Sequence, residues 1–271
     1  MGIVNVTSDS FSDGGQHATA ELACRHCDRL LAEGADILDI GGESTRPNSQ
    51  PPPLELELSR VLPVVRYAAT LGMPVSVDTS RPEVIEAVLS AGADIINDVR
   101  AVRWPGALAA VAAHPRAGIC LMHMQGEPAT MQQAPSYGGD VVAEVLGFLG
   151  ERLKVCSGAG IDAERIVLDP GYGFGKTQEH NLAIFARQQA LLALGRPLLV
   201  GWSRKGTLGQ LTGRPVGKRL AASVGAALAA VARGARVVRV HDVAATVDAL
   251  TVWNAAGLGA PRADSLENTR I

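Results

Sequence analysis

Residues 36–47 read DILDIGGESTRP. An apolar run leads through two glycines and then sets Glu43, Ser44, Thr45, Arg46 and Pro47 side by side. A loop that only connects two elements needs neither an acid, nor two hydroxyls, nor a guanidinium. The same switch from apolar run to polar cluster recurs at Asn5, Asp78, Asn97-Asp98, His123-Met124, Asp169, Ser203-Arg204-Lys205 and Arg239-Val240-His241-Asp242. Arg46, Lys205, Arg239 and His241 bring positive charge, and Asn5 is a neutral oxygen ligand of the kind that holds a Mg²⁺ carrying a phosphate group. Such a set suits a pyrophosphate. Asp169, Asp78 and Asn97 bring carboxylates and an amide. A carboxylate accepts two parallel N–H bonds from a guanidine-like edge, as a pterin or a guanine presents. The residue types point to a two-ended ligand, anionic at one end and a donor-edged heterocycle at the other.

Three motifs have plainer readings. DPGYGFGKT ends like a phosphate-binding loop, but Pro170 stands where the first glycine of that pattern belongs. It reads instead as a glycine turn that places Phe174 and Lys176. Cys24 and Cys27 form C-x-x-C around His26, yet they lie in a helical pattern with no second Cys/His pair at metal spacing, so helix packing is expected. In CLMHMQG, Met124 is expected to line the site more than His123, although alternating faces of a strand would explain both.

Elements must bring these residues together. Short, nearly continuous apolar runs occupy 2–6, 37–40, 74–77, 95–96, 118–122, 166–168, 197–200 and 236–240, as parallel strands buried on both faces would. Amphipathic patterns at 20–32, 54–71, 82–91 and 216–232 read as helices between them. Gly34, Gly72, Gly92, Gly160, Gly195 and Gly234 stand where helices should end before the next strand. Eight βα units in 271 residues predict an α/β fold, a (β/α)8 TIM barrel forming a single domain over 1–271. A doubly wound open sheet would want a G-x-G-x-x-G turn after its first strand, and NVTSDSFSDGG is not one. Pro51, Pro52 and Pro53 stiffen a loop rather than divide domains. In a barrel, catalytic groups sit at the carboxyl ends of the strands, where the polar clusters lie.

Composition excludes several classes. A net charge of −2 offers no pull towards nucleic acid or an anionic membrane surface. No apolar run approaches the roughly 18 residues of a membrane span. Residues 1–7 lack the basic start and cleavage site of a signal peptide. Four cysteines are too few for a disulfide scaffold. A cytoplasmic enzyme is expected.

Taken together, MGIVNVTSDSFSDGG, DIGGESTRP, VDTSRPEVI, IINDV, CLMHMQGEPATMQ, LDPGYGFGKT, LVGWSRK and VRVHDV resemble the dihydropteroate synthase family of the folate pathway, in the family's order over residues 1 to about 245. The resemblance implies a barrel that is usually a homodimer. It implies a transferase that joins (7,8-dihydropterin-6-yl)methyl diphosphate to 4-aminobenzoate, giving 7,8-dihydropteroate and pyrophosphate, with Mg²⁺-assisted departure of pyrophosphate before the amine attacks. Asn5 would ligand the Mg²⁺. Thr45, Asp78, Asn97, Asp169, Lys205, Arg239 and His241 would bind the pterin diphosphate, with Met124, Phe174 and Gly201 among the substrate-binding positions. Phe11 and Asp13 on the first loop, with Ser44, Arg46 and Pro47 on the second, would close over the site and frame the aminobenzoate pocket, where sulfonamides would compete. Asp13, Arg46, Lys205, Arg239 and His241 are the expected catalytic set. The glycines after the second strand would let the backbone turn close to the ligand.

The chain departs from the family pattern at Ser8, where proline is usual, and at Gly206, where a second serine is usual. It starts directly in the first strand, so the family's short barrel-closing segment is expected to be absent. Two other readings use the same barrel. One is a catalytically silent pterin-binding paralogue acting as a binding or partner subunit. The other is a pterin-dependent methyltransferase serving a corrinoid protein, which would lack the ESTRP and SRK loops.

Overall fold

The computed structural model describes the backbone of residues 1–6 and 16–259 and the side chains of 1–6 and 20–259. Eight parallel strands run in the order β1 (Gly2–Asn5), β2 (Leu38–Gly41), β3 (Val75–Asp78), β4 (Ile95–Asp98), β5 (Gly118–Met122), β6 (Ile166–Asp169), β7 (Leu198–Val200) and β8 (Ala235–Val238). The ring closes where Ile3 N–H donates to the Val240 carbonyl at 3.1 Å and Val240 N–H to the Met1 carbonyl at 3.0 Å. Helices α1 (Gln16–Ala32), α2 (Leu54–Ala68), α3 (Pro82–Ser90), α4 (Ala107–Ala112), α5 (Val141–Gly158), α6 (Gln178–Ala186), α7 (Gly206–Thr212), α8 (Leu220–Ala232) and α9 (Val243–Ala255) connect and follow the strands.

Strand register explains how short apolar runs carry a polar site. Paired residues on neighbouring strands share a face, and faces alternate along each strand. Val4, Ile40, Val77, Ile96, Ile119 and Ile166 pair in succession. All six are buried in the layer between sheet and helices. The alternate positions face the barrel axis. There Asn5 pairs with Gly41, Gly41 with Asp78, and Asp78 with Asn97, so residues far apart in sequence form one row at the strand ends. Met122 pairs with Asp169 on the opposite side.

The glycines expected at helix ends, Gly34, Gly72, Gly92, Gly160, Gly195 and Gly234, all have positive φ. There a Cβ is unfavourable, so glycine ends the helix with little strain. Some boundaries differ from the sequence pattern. The helical pattern over 216–232 is broken at Arg219 into a 3₁₀ turn, Val216–Lys218, and α8. The fourth strand extends through Asn97 and Asp98, because their backbones continue the ladder to Cys120 and Leu121. The eighth strand ends at Val238, and Val240 keeps only a single bridge to Gly2. No helix among the described residues is long and apolar enough to cross a membrane.

Candidate active site

The barrel mouth is organised around a carboxylate that the sequence did not single out. Asp39, in the middle of β2, is fully buried. It accepts from Ser76 Oγ at 2.6 Å, from Asn97 Nδ2 at 3.3 Å and from Arg239 Nε at 2.6 Å. Arg239 also donates through Nη2 to Asp78 at 3.2 Å. Asp78, Asn97 and Arg239 are thus brought together, with Asp39 as the shared partner. Burial pushes the Asp78 carboxyl up, and Arg239 opposes that push. The sequence signal for Asp39 was an acid within an apolar strand, which alternation alone would place towards the axis.

A second group forms at the ends of β6 and β7. Asp169 is buried, and its Oδ1 accepts from Gly171 N–H at 2.7 Å. Burial raises its carboxyl, with Lys205 acting the other way. Burial pulls the Lys205 ammonium down to about 8, against the pull of Asp169. Lys205 donates to the Tyr172 carbonyl and lies 4.9 Å from the Phe174 ring centre. Gly201 joins the two groups, because a Cβ there would lie 3.8 Å from both Lys205 Nζ and Arg239 Cβ. Phe174 packs on Met122, Met124, Val99 and Met131, so Met124 belongs to a sulfur-rich patch beside the site.

The glycine turn after β6 does what its sequence implied. Gly171, Gly173 and Gly175 all have positive φ, and a Cβ on Gly171 would sit 1.9 Å from the His123 carbonyl oxygen. Lys176 turns inward. Its Nζ meets His123 Nδ1 at 2.8 Å and donates to the Gly171 and Phe174 carbonyls at 2.9 and 3.1 Å. Burial pulls this ammonium well below its ordinary value, and burial with Lys176 beside it pushes His123 down to about 2. His123 is therefore a neutral acceptor that ties the β5 and β6 loops together.

The third group lies at the seam of β1 and β8. A cavity of about 480 Å³ is lined by Asn5, Arg204 and His241 with Arg25, His26 and Arg29 of α1. His241 donates its backbone N–H to Ser203 Oγ at 3.1 Å, and its Nδ1 lies 3.0 Å from the same oxygen. Its pKa is pushed down to about 4 by burial, then by Arg204 and Arg239. The ligand-free site therefore favours the uncharged imidazole, whereas the sequence reading took His241 as a source of positive charge. Three arginines also line this cavity, each paired with an acid: Arg204 with Asp242, Arg25 with Glu21 and Arg29 with Glu33. His26, between the two cysteines, caps the Ile3 carbonyl at 3.1 Å, and Cys27 packs in the core with its thiol pushed up to about 12 by burial.

The loop after β2 places Ser44 and Thr45 half-buried and Arg46 and Pro47 exposed. Ser49 Oγ donates to the carbonyls of Ser44 and Arg46, which folds the loop on itself. The nearby glycine has another reason than the one the sequence suggested. A Cβ on Gly42 would meet Val61 Cγ1 at 2.6 Å, so it serves close approach to α2 rather than to a ligand. Phe11, Asp13 and Ser8 lie outside the described residues.

Comparison with known proteins agrees with this geometry. Residues 1–241 match the family described as pterin binding enzyme. A relative named dihydropteroate synthase, from Neisseria meningitidis, is 53% identical over 95% of this chain and 92% of its own length. The Xanthomonas albilineans dihydropteroate synthase solved with 4-aminobenzoic acid is 54% identical, with a TM-score of 0.90 over 96% of this chain and 93% of that one. A structure of that enzyme with 7,8-dihydropteroate gives 52% identity and a TM-score of 0.86, covering 96% of this chain and 94% of that one. The Yersinia pestis enzyme in a sulfonamide drug complex gives 44% identity and a TM-score of 0.89 over 95% of this chain and 93% of that one. With the barrel, the rim of charged residues and these likenesses in agreement over nearly its whole length, the chain belongs to the pterin-binding enzyme family, among the dihydropteroate synthases.

Proposed function

We propose that this chain joins (7,8-dihydropterin-6-yl)methyl diphosphate to 4-aminobenzoate, releasing pyrophosphate and 7,8-dihydropteroate. The chain is a transferase of the dihydropteroate synthase kind. One observation carries the assignment of roles: Asp169 with Lys205, and Arg239 between Asp39 and Asp78, share one barrel mouth across Gly201. The relatives solved with 4-aminobenzoic acid and with 7,8-dihydropteroate support the same substrates here.

The roles follow from charge and geometry. Asp169 receives the donor edge of the pterin, and Lys205 donates to its carbonyl oxygen. Asn97 and Asp78 complete the polar rim around the heterocycle. Aromatic amines are weak nucleophiles, so the acceptor carbon must become strongly electrophilic. The reduced pterin delocalises positive charge as its C–O bond to the diphosphate breaks, and the electron pair leaves with pyrophosphate. Arg239 and the arginine-lined cavity around His241 stabilise that departing charge. The amine of 4-aminobenzoate then forms the C–N bond and loses a proton. Arg46, with Thr45, contacts the diphosphate from the second loop, while Ser44 and Pro47 frame the aminobenzoate. No protein nucleophile is needed, and Cys120, buried with its thiol raised well above 9.0, is unsuited to be one.

A Mg²⁺ fits this chemistry. Asn5 offers one oxygen at the cavity, and no cluster of three or more His, Cys, Asp or Glu ligands occurs among the described residues. That set suits an ion held mainly by diphosphate oxygens and water rather than by a protein cage. When bound, the ion would add positive charge beside the leaving oxygens. Competition by sulfonamides in the aminobenzoate pocket, a homodimer and a cytoplasmic location are proposed with this reading.

The direct test is pyrophosphate release from the pterin diphosphate with and without 4-aminobenzoate. Equimolar pyrophosphate and 7,8-dihydropteroate are expected when both substrates are present. Failure to form dihydropteroate while the pterin diphosphate still binds would instead indicate a silent pterin-binding subunit.

Asp169→Asn presents a donor where an acceptor is wanted. It should weaken pterin binding by about 1–3 kcal/mol, roughly five- to 150-fold. Calorimetric affinity within twofold of wild type would remove Asp169 from the pterin edge.

Lys205 titrates near 8 and must be charged to donate fully. Below that pH the ammonium form dominates and affinity for the pterin should be flat. Above it affinity should fall, approaching roughly tenfold per pH unit where binding requires the proton. Lys205→Arg, whose charge does not titrate in this range, should keep a flat profile. Identical profiles for the two proteins would contradict the role.

A further inference from the structure

Arg100 joins loops that follow four consecutive strands, and none of the roles above uses it. The side chain is only 4% exposed. Its Nε donates to Glu127 at 2.8 Å, Nη1 to Ser80 Oγ at 3.1 Å and Nη2 to Glu43 at 3.1 Å. Glu43 lies in the loop after β2, Ser80 after β3, Arg100 itself after β4 and Glu127 after β5. The guanidinium also covers Trp104, 5.1 Å from the ring centre.

The backbone that aims Arg100 is unusual. Ala101 and Val102 have φ of 53° and 52°, left-handed values that a Cβ disfavours and that β-branching makes worse. The turn is held against that preference. Asp98, fully buried, accepts from Arg100 N–H at 2.8 Å and Val102 N–H at 2.6 Å, and its Oδ1 also accepts from Ser80 Oγ. Arg152 of α5 donates to the Ala101 carbonyl at 2.9 Å. A connecting loop has no need of a strained turn. Strain held by several buried bonds marks a position that the surroundings impose.

A second contact carries this tie into the substrate loop. Next to Glu127, the Pro128 carbonyl accepts from Asn48 N–H at 3.0 Å, and Asn48 has φ of 66°. Asn48 directly follows Arg46 and Pro47. Arg100 therefore grips the loop after β2 at both ends, through Glu43 at its start and through Glu127, Pro128 and Asn48 beyond Pro47.

We propose that Arg100 is a positioning residue which, by pairing with Glu43 and Glu127, holds residues 44–47 in the conformation that receives 4-aminobenzoate. The proposal rests on the function assigned above for its reaction but not for the tie itself. Arg100 touches no reacting atom. It acts on the second substrate, and the pterin end, built on Asp39, Asp78, Asn97, Asp169 and Lys205, is held by other bonds.

Glu127 gives the cleanest test, because its side chain is 57% exposed while that of Glu43 is 3% exposed. Glu127→Ala removes one end of the tie and leaves Arg100 paired with Glu43. Backbone hydrogen exchange of residues 44–49 in the ligand-free chain should quicken, and the KM for 4-aminobenzoate should rise, each by roughly two- to fivefold. Affinity for a pterin lacking the diphosphate, which the second loop does not reach, and the melting temperature should stay near wild type. Glu127→Gln, which keeps an acceptor for Nε, should recover much of the loss. Arg100→Lys, a point charge that cannot reach the separate acceptors together, should exceed the effect of Glu127→Ala. Unchanged exchange and KM in Glu127→Ala, with wild type active, would overturn the proposal. So would equal losses for 4-aminobenzoate and for a pterin lacking the diphosphate, which would mean general loosening. A wild-type chain that makes no dihydropteroate would defeat the functional reading instead, while the exchange measurement would still decide the tie.

Discussion

The ion pair between Asp39 and Arg239 is the constraint on which the mouth of the barrel depends. A carboxylate without solvent exposure is costly unless it is paired and hydrogen-bonded. Asp39 meets that requirement with three partners, Ser76 on β3, Asn97 on β4 and Arg239 just beyond β8. Each partner is thereby fixed in turn. Arg239 is held between two carboxylates, Asn97 is turned to the axis, and Asp78 shares the guanidinium. Moving Arg239 would leave the buried Asp39 unpaired, and moving Ser76 or Asn97 would remove one of its hydrogen bonds, so the arrangement behaves as one unit. The rim is preorganised by the protein's own electrostatics before a ligand arrives.

That unit also explains the character of the site. Three buried carboxylates, Asp39, Asp78 and Asp169, face two cations, Arg239 and Lys205. Burial raises Asp78 and Asp169 and lowers Lys205, so the charged form of each costs energy in the empty mouth. A heterocycle with several N–H donors and a carbonyl oxygen offers partners to both kinds of charge. Towards the diphosphate end Arg239 is joined by a cavity lined by further arginines and by a histidine whose pKa burial lowers. One ligand with two unlike ends fits one mouth with two unlike halves.

Much of this was legible in the sequence, and the reasons can be stated. Strands buried on both faces read as apolar runs, and glycine after a helix reads as a stop. Hence the barrel and its rim positions followed from pattern alone. Asp78, Asn97 and Asp169 stood out because each ends such a run. Asp39 did not, because it sits inside one, and only its register with Ser76 and the hydrogen bond from Asn97 give it meaning. Arg100 read as an ordinary loop residue. Its importance comes from positive φ at Ala101 and Val102, which no propensity at those residues announces. The lowered pKa of His241 could not be read either, because it comes from burial and then from Arg204 and Arg239, a neighbourhood that spacing does not reveal.

The central claim is that departing pyrophosphate is stabilised by a guanidinium whose position, and not merely its charge, is set by two buried carboxylates. Arg239→Lys keeps the charge but loses the planar fork that spans Asp39 and Asp78. The measurement is the single-turnover rate of dihydropteroate formation at saturating substrates. A fall of roughly tenfold or more, equivalent to about 1.4 kcal/mol of barrier, is predicted. A rate within twofold of wild type would contradict the account, because charge alone would then suffice.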